Sequence, residues 1–160
     1  MSSNIKTKIA LLIAEFFYCG RFPIAPGTCG TAGALVIWVP ALFFSWSCWL
    51  ILSLLLMLFF IGIWASDYGI EHYKKDDPKQ VVIDEVVGVG IPFLIIDPSV
   101  QQVFTAFVLF RFFDILKPWP IKWVERSFPK AWGIMLDDVV AGIFALLALL
   151  FARYFFVFLY

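Results

Sequence analysis

Residues 133–160 read "GIMLDDVVAGIFALLALLFARYFFVFLY". From Val139 onward the run is apolar except for Arg153, and it is long enough to cross a hydrocarbon core as one helix. Just before it stand two adjacent carboxylates, Asp137 and Asp138, an expensive placement at the mouth of a membrane segment. Composition carries the membrane reading to the whole chain. Of the 160 residues 62% are hydrophobic and 19% aromatic, with only 15% charged and a mean hydropathy of +0.93. A soluble core of this size could not hide so much apolar surface, so a bilayer must solvate part of it. Length is that of a single domain, 1–160. The 12 basic and 12 acidic residues cancel, and no nucleic-acid partner is expected.

Other apolar stretches fall at 31–45, 48–66, 85–96 and 100–113. "SWS" separates the first two and "DPS" (97–99) the next two, so each pair reads as a helical hairpin with a short connection. The second pair is short, about 18–21 Å per helix at 1.5 Å per residue, and spans only by drawing its charged ends below the headgroups. Near the start, Lys6 and Lys8 precede "IALLIAEFFYC", whose apolar core Glu15 interrupts with no small-residue cleavage site after it. This reads as a retained interfacial helix rather than a signal peptide. The expected fold is an all-α integral membrane protein: an interfacial N-terminal helix, two short helical hairpins and a C-terminal transmembrane helix. Cys19, Cys29 and Cys48 form no CxxC pair and read as small buried hydrophobes.

Charge placement gives the sidedness. Lys6, Lys8 and Arg21 precede the first hairpin, and Lys74, Lys75 and Lys79 lie between the hairpins. Lys117, Lys122, Arg126 and Lys130 precede the last helix, while the opposite turns carry no Lys or Arg. The positive-inside rule puts the basic regions in the cytoplasm, with Arg153 snorkelling at the far end. Asp84, Glu85, Asp114, Asp137 and Asp138 fall on that same side. Five carboxylates from three parts of the chain therefore reach one membrane face.

"IDEVVGVG" (83–90) and "LDDVVAGI" (136–143) share a pattern: apolar, Asp, acid, Val-Val, small. Helix capping accounts for one acid of each pair. It leaves the second acid unexplained. Gly88 and Ala141, four residues after Asp84 and Asp137, share their helix faces and would let two helices approach closely. Four crowded carboxylates then need a cation, and hard oxygen ligands favour Mg²⁺. In "FRFFDILKPWP" (110–120), Arg111, Asp114 and Lys117 fall three residues apart before Pro118 and Pro120 end the helix. The trio is either a snorkelling ion pair or the cationic half of a phosphate site, where a guanidinium shares phosphoryl oxygens with a metal. In "GRFPIAPGTCGTAG" (20–33), Thr28 or Thr31 can cap the next helix, whose free N–H groups could hold an anion. Gly30 and Gly33 serve either that site or helix packing. His72, Asp76 and Asp77 read as solvated.

"RFPIAPGTCGT", "VIDEVVG", "FRFFDILKPWPIKWVE" and "GIMLDDVVAG", in this order and spacing across residues 20–145, resemble the phosphatidylglycerophosphatase A family. The resemblance implies a Mg²⁺-dependent enzyme of the bacterial inner membrane, with a cytoplasmic active site, that converts the phospholipid phosphatidylglycerophosphate into phosphatidylglycerol. The family's motif positions correspond to Asp84, Glu85, Asp114, Asp137 and Asp138 as catalytic and metal-binding acids, and to Arg111 and Lys117 as substrate contacts. Arg21, Thr28 and Lys79 join these as substrate-binding candidates. The attacking group is left open between water and an aspartate. Two departures stand out: "KAW" (130–132) where the family usually has a Gly-Gly step before "GIM", and Ile83 where an aromatic commonly precedes the acid pair. Other classes fit less well. The DxxDGxxAR helix of CDP-alcohol phosphotransferases is absent, and a type-2 phosphatidic acid phosphatase needs more than the single His72. An ion or lipid transporter would place its acids near the bilayer midplane. Oligomeric state is not encoded in any of these motifs.

Overall fold

The computed structural model describes residues 4–95 and 99–159, apart from the side chains of 156–159. Seven α-helices and no strand occur among the described residues: α1 Ile5–Ala14, α2 Pro26–Phe43, α3 Cys48–Tyr73, α4 Ile83–Gly90, α5 Val100–Leu116, α6 Ile121–Ser127 and α7 Ala131–Leu159. Three of them are long and apolar enough to cross a membrane: α2, α3 and the Ala131–Phe155 part of α7. Their outward residues, among them Val36, Phe43, Trp49, Phe60, Leu147 and Phe151, remain exposed. Apolar surface of that extent fits a lipid solvent.

The centre is α4, only 8 residues and about 12 Å long. A 3₁₀ turn, Ile91–Leu94, continues it. Every α4 residue except Asp84 is buried. It packs chiefly against α7 and α2, then α3. So α2 and α3 share the short connection expected of a hairpin (44–47) but meet chiefly through α4. Ser47 caps α3 by accepting the Leu50 N–H at 3.3 Å. The Trp38 indole of α2 donates to the Val86 carbonyl at 2.8 Å, tying the spanning helix to the short one. Meanwhile α1 lies along α3 and buries Ala10, Leu11 and Ala14.

Several element limits differ from those the sequence suggests. Helix α2 starts at Pro26, not residue 31, because proline's missing N–H and fixed φ suit a first turn. Neither Thr28 nor Thr31 caps it. Thr31 lies inside, donating to the Gly27 carbonyl at 2.9 Å. Helix α3 runs on to Tyr73, so His72 is an exposed residue of its last turn rather than of a loop. Of the expected "DPS" turn, residues 97 and 98 lie outside the described residues. Ser99 caps α5 by accepting the Gln102 N–H at 3.1 Å. Helix α6 occupies a stretch that reads as polar connection. The three thiols are free, but Cys19 and Cys29 are half-buried and Cys48 is exposed, not buried as expected.

The consequential difference is in α7. It begins at Ala131, so Asp137 and Asp138 lie nearly two turns inside the helix and cap nothing. In α4 the acid pair does occupy the first turn, yet neither side chain caps. The α4–α7 crossing is as close as the small residues suggest. A Cβ on Gly88 would stand 2.8 Å from the Asp138 carbonyl oxygen, and one on Gly142 would strike the Gly88 carbonyl. Gly142 stands at this contact, and the neighbouring Ala141 is fully buried. Gly88→Val should therefore destabilise the protein by about 1–3 kcal/mol, seen as a lowered unfolding temperature in detergent. An unchanged temperature would mean that the crossing relaxes freely.

Candidate active site

An open cleft of about 900 Å³ lies where α4, α5, α6 and α7 bring their polar ends together. Asp84, Glu85, Asp114, Asp137 and Asp138 all line it, as do Lys79, Arg111 and Lys117. Two aspartates reach it from inside α7, two acids from the first turn of α4, and Asp114 from the last turns of α5.

Arg111 is the hub of one side. Its Nη1 donates to Asp114 Oδ2 at 2.5 Å, lies 3.5 Å from Glu85 Oε1, and reaches Thr31 Oγ1 at 3.5 Å. Helix α2 makes room for this group. A Cβ on Gly27 would collide with the Glu85 carboxylate and stand 3.2 Å from Arg111 Nη1; one on Gly30 would lie 3.2 Å from Glu85 Oε2. The glycines of "PGTCG" thus let backbone approach a charged pair, a use beside the anion binding and helix packing expected of Gly30.

Lys117 is the hub of the other. It sits past the end of α5 in the left-handed conformation, φ 42°. From there Nζ reaches Asp137 Oδ2 at 2.5 Å and Glu125 Oε1 at 3.2 Å. Burial pulls its pKa down, and Asp137 followed by Glu125 more than reverses that, so the ammonium ends above its ordinary value. It stays a cation at any physiological pH.

Pairing leaves particular oxygens over. Asp84 Oδ1, Glu85 Oε2 and Asp138 Oδ2 are buried without a hydrogen-bond partner, as is Arg111 Nε. Buried polar atoms are normally satisfied. Three unsatisfied carboxylate oxygens on one cleft wall are the donor chemistry of a hard cation. Among the described residues no three acid, His or Cys side chains close a metal shell by themselves.

Other candidates are placed differently. Lys79 is exposed and lines the cleft edge. Thr28 is exposed and outside the lining. Arg21 faces a neighbouring cleft and pairs with Glu15 Oε2 at 2.6 Å. The sequence reading passed over Glu125, which shares Lys117. It also took Asp76 and Asp77 as merely solvated; both are exposed but line the cleft. Glu125 lies four residues after Ile121 on a helix too short to show periodicity, so only its charge could have singled it out.

The family profile described as Phosphatidylglycerophosphatase A matches residues 12–153. The chain belongs to that family. Two relatives carry the same name, Phosphatidylglycerophosphatase A. The Escherichia coli protein is 36% identical over 134 residues, 82% of this chain and 76% of its own length. The Haemophilus influenzae protein is 35% identical over 160 residues, 95% of this chain and 96% of its own length. A Bacteroides thetaiotaomicron protein, named "Putative phosphatidylinositol-3-phosphatase", is 38% identical over 152 residues, 91% of this chain and 94% of its own. No solved structure matches the chain. As a phosphatidylglycerophosphatase A family member it is a phosphatase, and its apolar helices make it a membrane protein.

Proposed function

We propose that this phosphatase hydrolyses phosphatidylglycerophosphate to phosphatidylglycerol and inorganic phosphate. It works from the inner membrane of a bacterium, with its cleft on the cytoplasmic face. The observation that carries the reading is one cleft holding five carboxylates, Arg111 and Lys117 at the polar end of spanning helices. Lys74, Lys75, Lys79, Lys117, Lys122, Arg126 and Lys130, which cluster at the cleft's end of the chain's helices, support a cytoplasmic orientation by the positive-inside rule. In this insertion α1 lies at the interface, and α4 with its 3₁₀ turn dips in without crossing.

Asp84, Glu85 and Asp138 would hold Mg²⁺ through their unpaired oxygens, with Asp114 and Asp137 beside them. When bound, the metal neutralises phosphoryl charge and acidifies coordinated water. Arg111 and Lys117 do the remaining electrostatic work. Both cations line the cleft and would orient the monoester oxygens. The anionic phosphate would loosen Arg111 from Asp114 and Lys117 from Asp137, freeing both acids as proton acceptors or ligands. Burial keeps the site dry on its α4 side, where Val82, Ile83 and Val86 are fully enclosed.

The Bacteroides relative's name favours a second lipid, a phosphoinositide. Both candidates are phosphomonoesters of a polyol joined to diacylglycerol through a phosphodiester. Phosphate release by purified protein from each lipid, with Mg²⁺ or with chelator, separates them. The expected result is turnover of phosphatidylglycerophosphate that chelator abolishes. No release from a folded, Mg²⁺-supplied sample overturns the reading, and faster turnover of the 3-phosphoinositide transfers it to that lipid.

A further inference from the structure

A second cleft, about 690 Å³, opens beside the first and shares Ala25, Pro26 and Lys79 with it. Gly20, Arg21, Phe22, His72, Tyr73 and Gln80 complete most of its wall. It is cationic, whereas the first cleft is dominated by acids.

Arg21 is held there by unusual means. Glu15, with a side chain 0% exposed, accepts from Arg21 Nε at 2.6 Å and Nη2 at 3.1 Å, and Tyr73 donates to the same carboxylate. A fully buried carboxylate is costly and stays only where its partners are fixed. Between Glu15 and Arg21 the chain takes three successive left-handed residues without glycine: Phe16, Phe17 and Tyr18, at φ 41°, 52° and 72°. Each such residue costs about 1–2 kcal/mol. The reversal brings Arg21 back over Glu15 and 4.9 Å from the Tyr18 ring centre. Two of the guanidinium's five N–H donors serve Glu15 on its buried edge, while the side chain as a whole is 53% exposed. A guanidinium fixed on one edge and open on the other is a preorganised anion clamp. Around it, Phe17, Phe22 and Ile24 are exposed apolar residues on the same loop, suited to acyl chains at the membrane surface.

We propose that this second cleft holds the phosphodiester of the lipid substrate, with Arg21 and Lys79 as its cationic contacts. The inference rests on the lipid-phosphate reading above. The order of groups along the lipid then matches the order along the protein. Acyl chains lie by Phe22 and Ile24, the diester lies at Arg21 and Lys79, and the terminal monoester lies at Arg111, Lys117 and the acids. Lys79, on the shared wall, marks the boundary. The diester is common to both candidate lipids, so the clamp selects diester-linked lipid phosphates as a class.

The test uses full-length protein in mixed micelles of neutral lipid, comparing wild type with Lys79→Ala, Arg21→Gln and the Glu15→Gln/Arg21→Gln double variant, which leaves no buried charge. Three quantities are read: KM and kcat for phosphatidylglycerophosphate, Ki for phosphatidylglycerol (diester only), and Ki for inorganic phosphate (monoester analogue). KM and the phosphatidylglycerol Ki should each rise about tenfold, the loss of one charged hydrogen bond, while kcat and the phosphate Ki hold. Unchanged KM and phosphatidylglycerol Ki overturn the proposal, and so does a parallel rise in the phosphate Ki. Lys79→Ala, at an exposed position, keeps the test open if the Arg21 variants do not fold. A wild-type protein inactive on phosphatidylglycerophosphate would instead sink the parent reading.

Discussion

Asp138→Asn is expected to lower kcat for lipid-phosphate hydrolysis by about 10³-fold while the protein remains inserted and folded. Asp138 is 3% exposed, and its Oδ2 has no hydrogen-bond partner. Asp114, Asp84, Asp137 and Glu85 surround it within electrostatic reach. Asparagine preserves the shape, removes the charge and relieves that repulsion. A purely structural aspartate would therefore lose stability on substitution, whereas a ligand aspartate would not. Without Mg²⁺ the variant's unfolding temperature should equal or exceed that of wild type. Added Mg²⁺ should raise the wild-type temperature by mass action and leave the variant's unmoved. Near-normal activity, or full Mg²⁺ stabilisation of the variant, would assign Asp138 to structure alone.

Arg111→Lys should cost about 10²-fold in kcat/KM, almost as much as Arg111→Ala. One Nη atom of Arg111 faces Asp114, Glu85 and Thr31 together, and the planar fork can turn its remaining donors to phosphate. A lysine ammonium is a point charge on a flexible stem. It cannot hold that set of partners and a phosphate in one geometry. Kinetics on both variants decide the matter. Near-wild-type turnover by Arg111→Lys would show that bulk positive charge, not the fork, is what the site requires.

That the five acids, Arg111 and Lys117 reach one cleft is legible in sequence because each lies on or just beyond a helix near a charge-to-apolar boundary, where bilayer energetics permit few alternatives. Their pairing was not legible. Spacing put Arg111, Asp114 and Lys117 together on one helix face, and Arg111 does hold Asp114. Lys117 instead terminates the helix in a left-handed turn and crosses to Asp137. Spacing also assigned both acid pairs to helix starts. The α7 pair escapes because the helix begins at Ala131, six residues before Asp137, and the stretch at its start, residues 127–132, mixes polar and apolar residues with no periodicity to mark the boundary. Arg21 illustrates a different blindness. Its motif drew attention, but the partner that fixes it, Glu15, read only as an interruption of an apolar run.

By itself the sequence determined an all-helical membrane chain, the sidedness of its charges, and the convergence of its carboxylates on one face. Those follow from hydropathy, length and charge, which act locally and need no knowledge of neighbours. Tertiary structure alone decided that α4 is a short buried plug between spanning helices, and that Gly88 meets Gly142. It also decided which acid oxygens are paired and which are left without a partner, and that Arg21 faces a second cleft. These depend on which helices touch. Inside a bilayer, helix contacts are chosen by close packing of small residues and by polar pairing rather than by hydrophobicity, so the pattern that reveals the spans is silent about their partners.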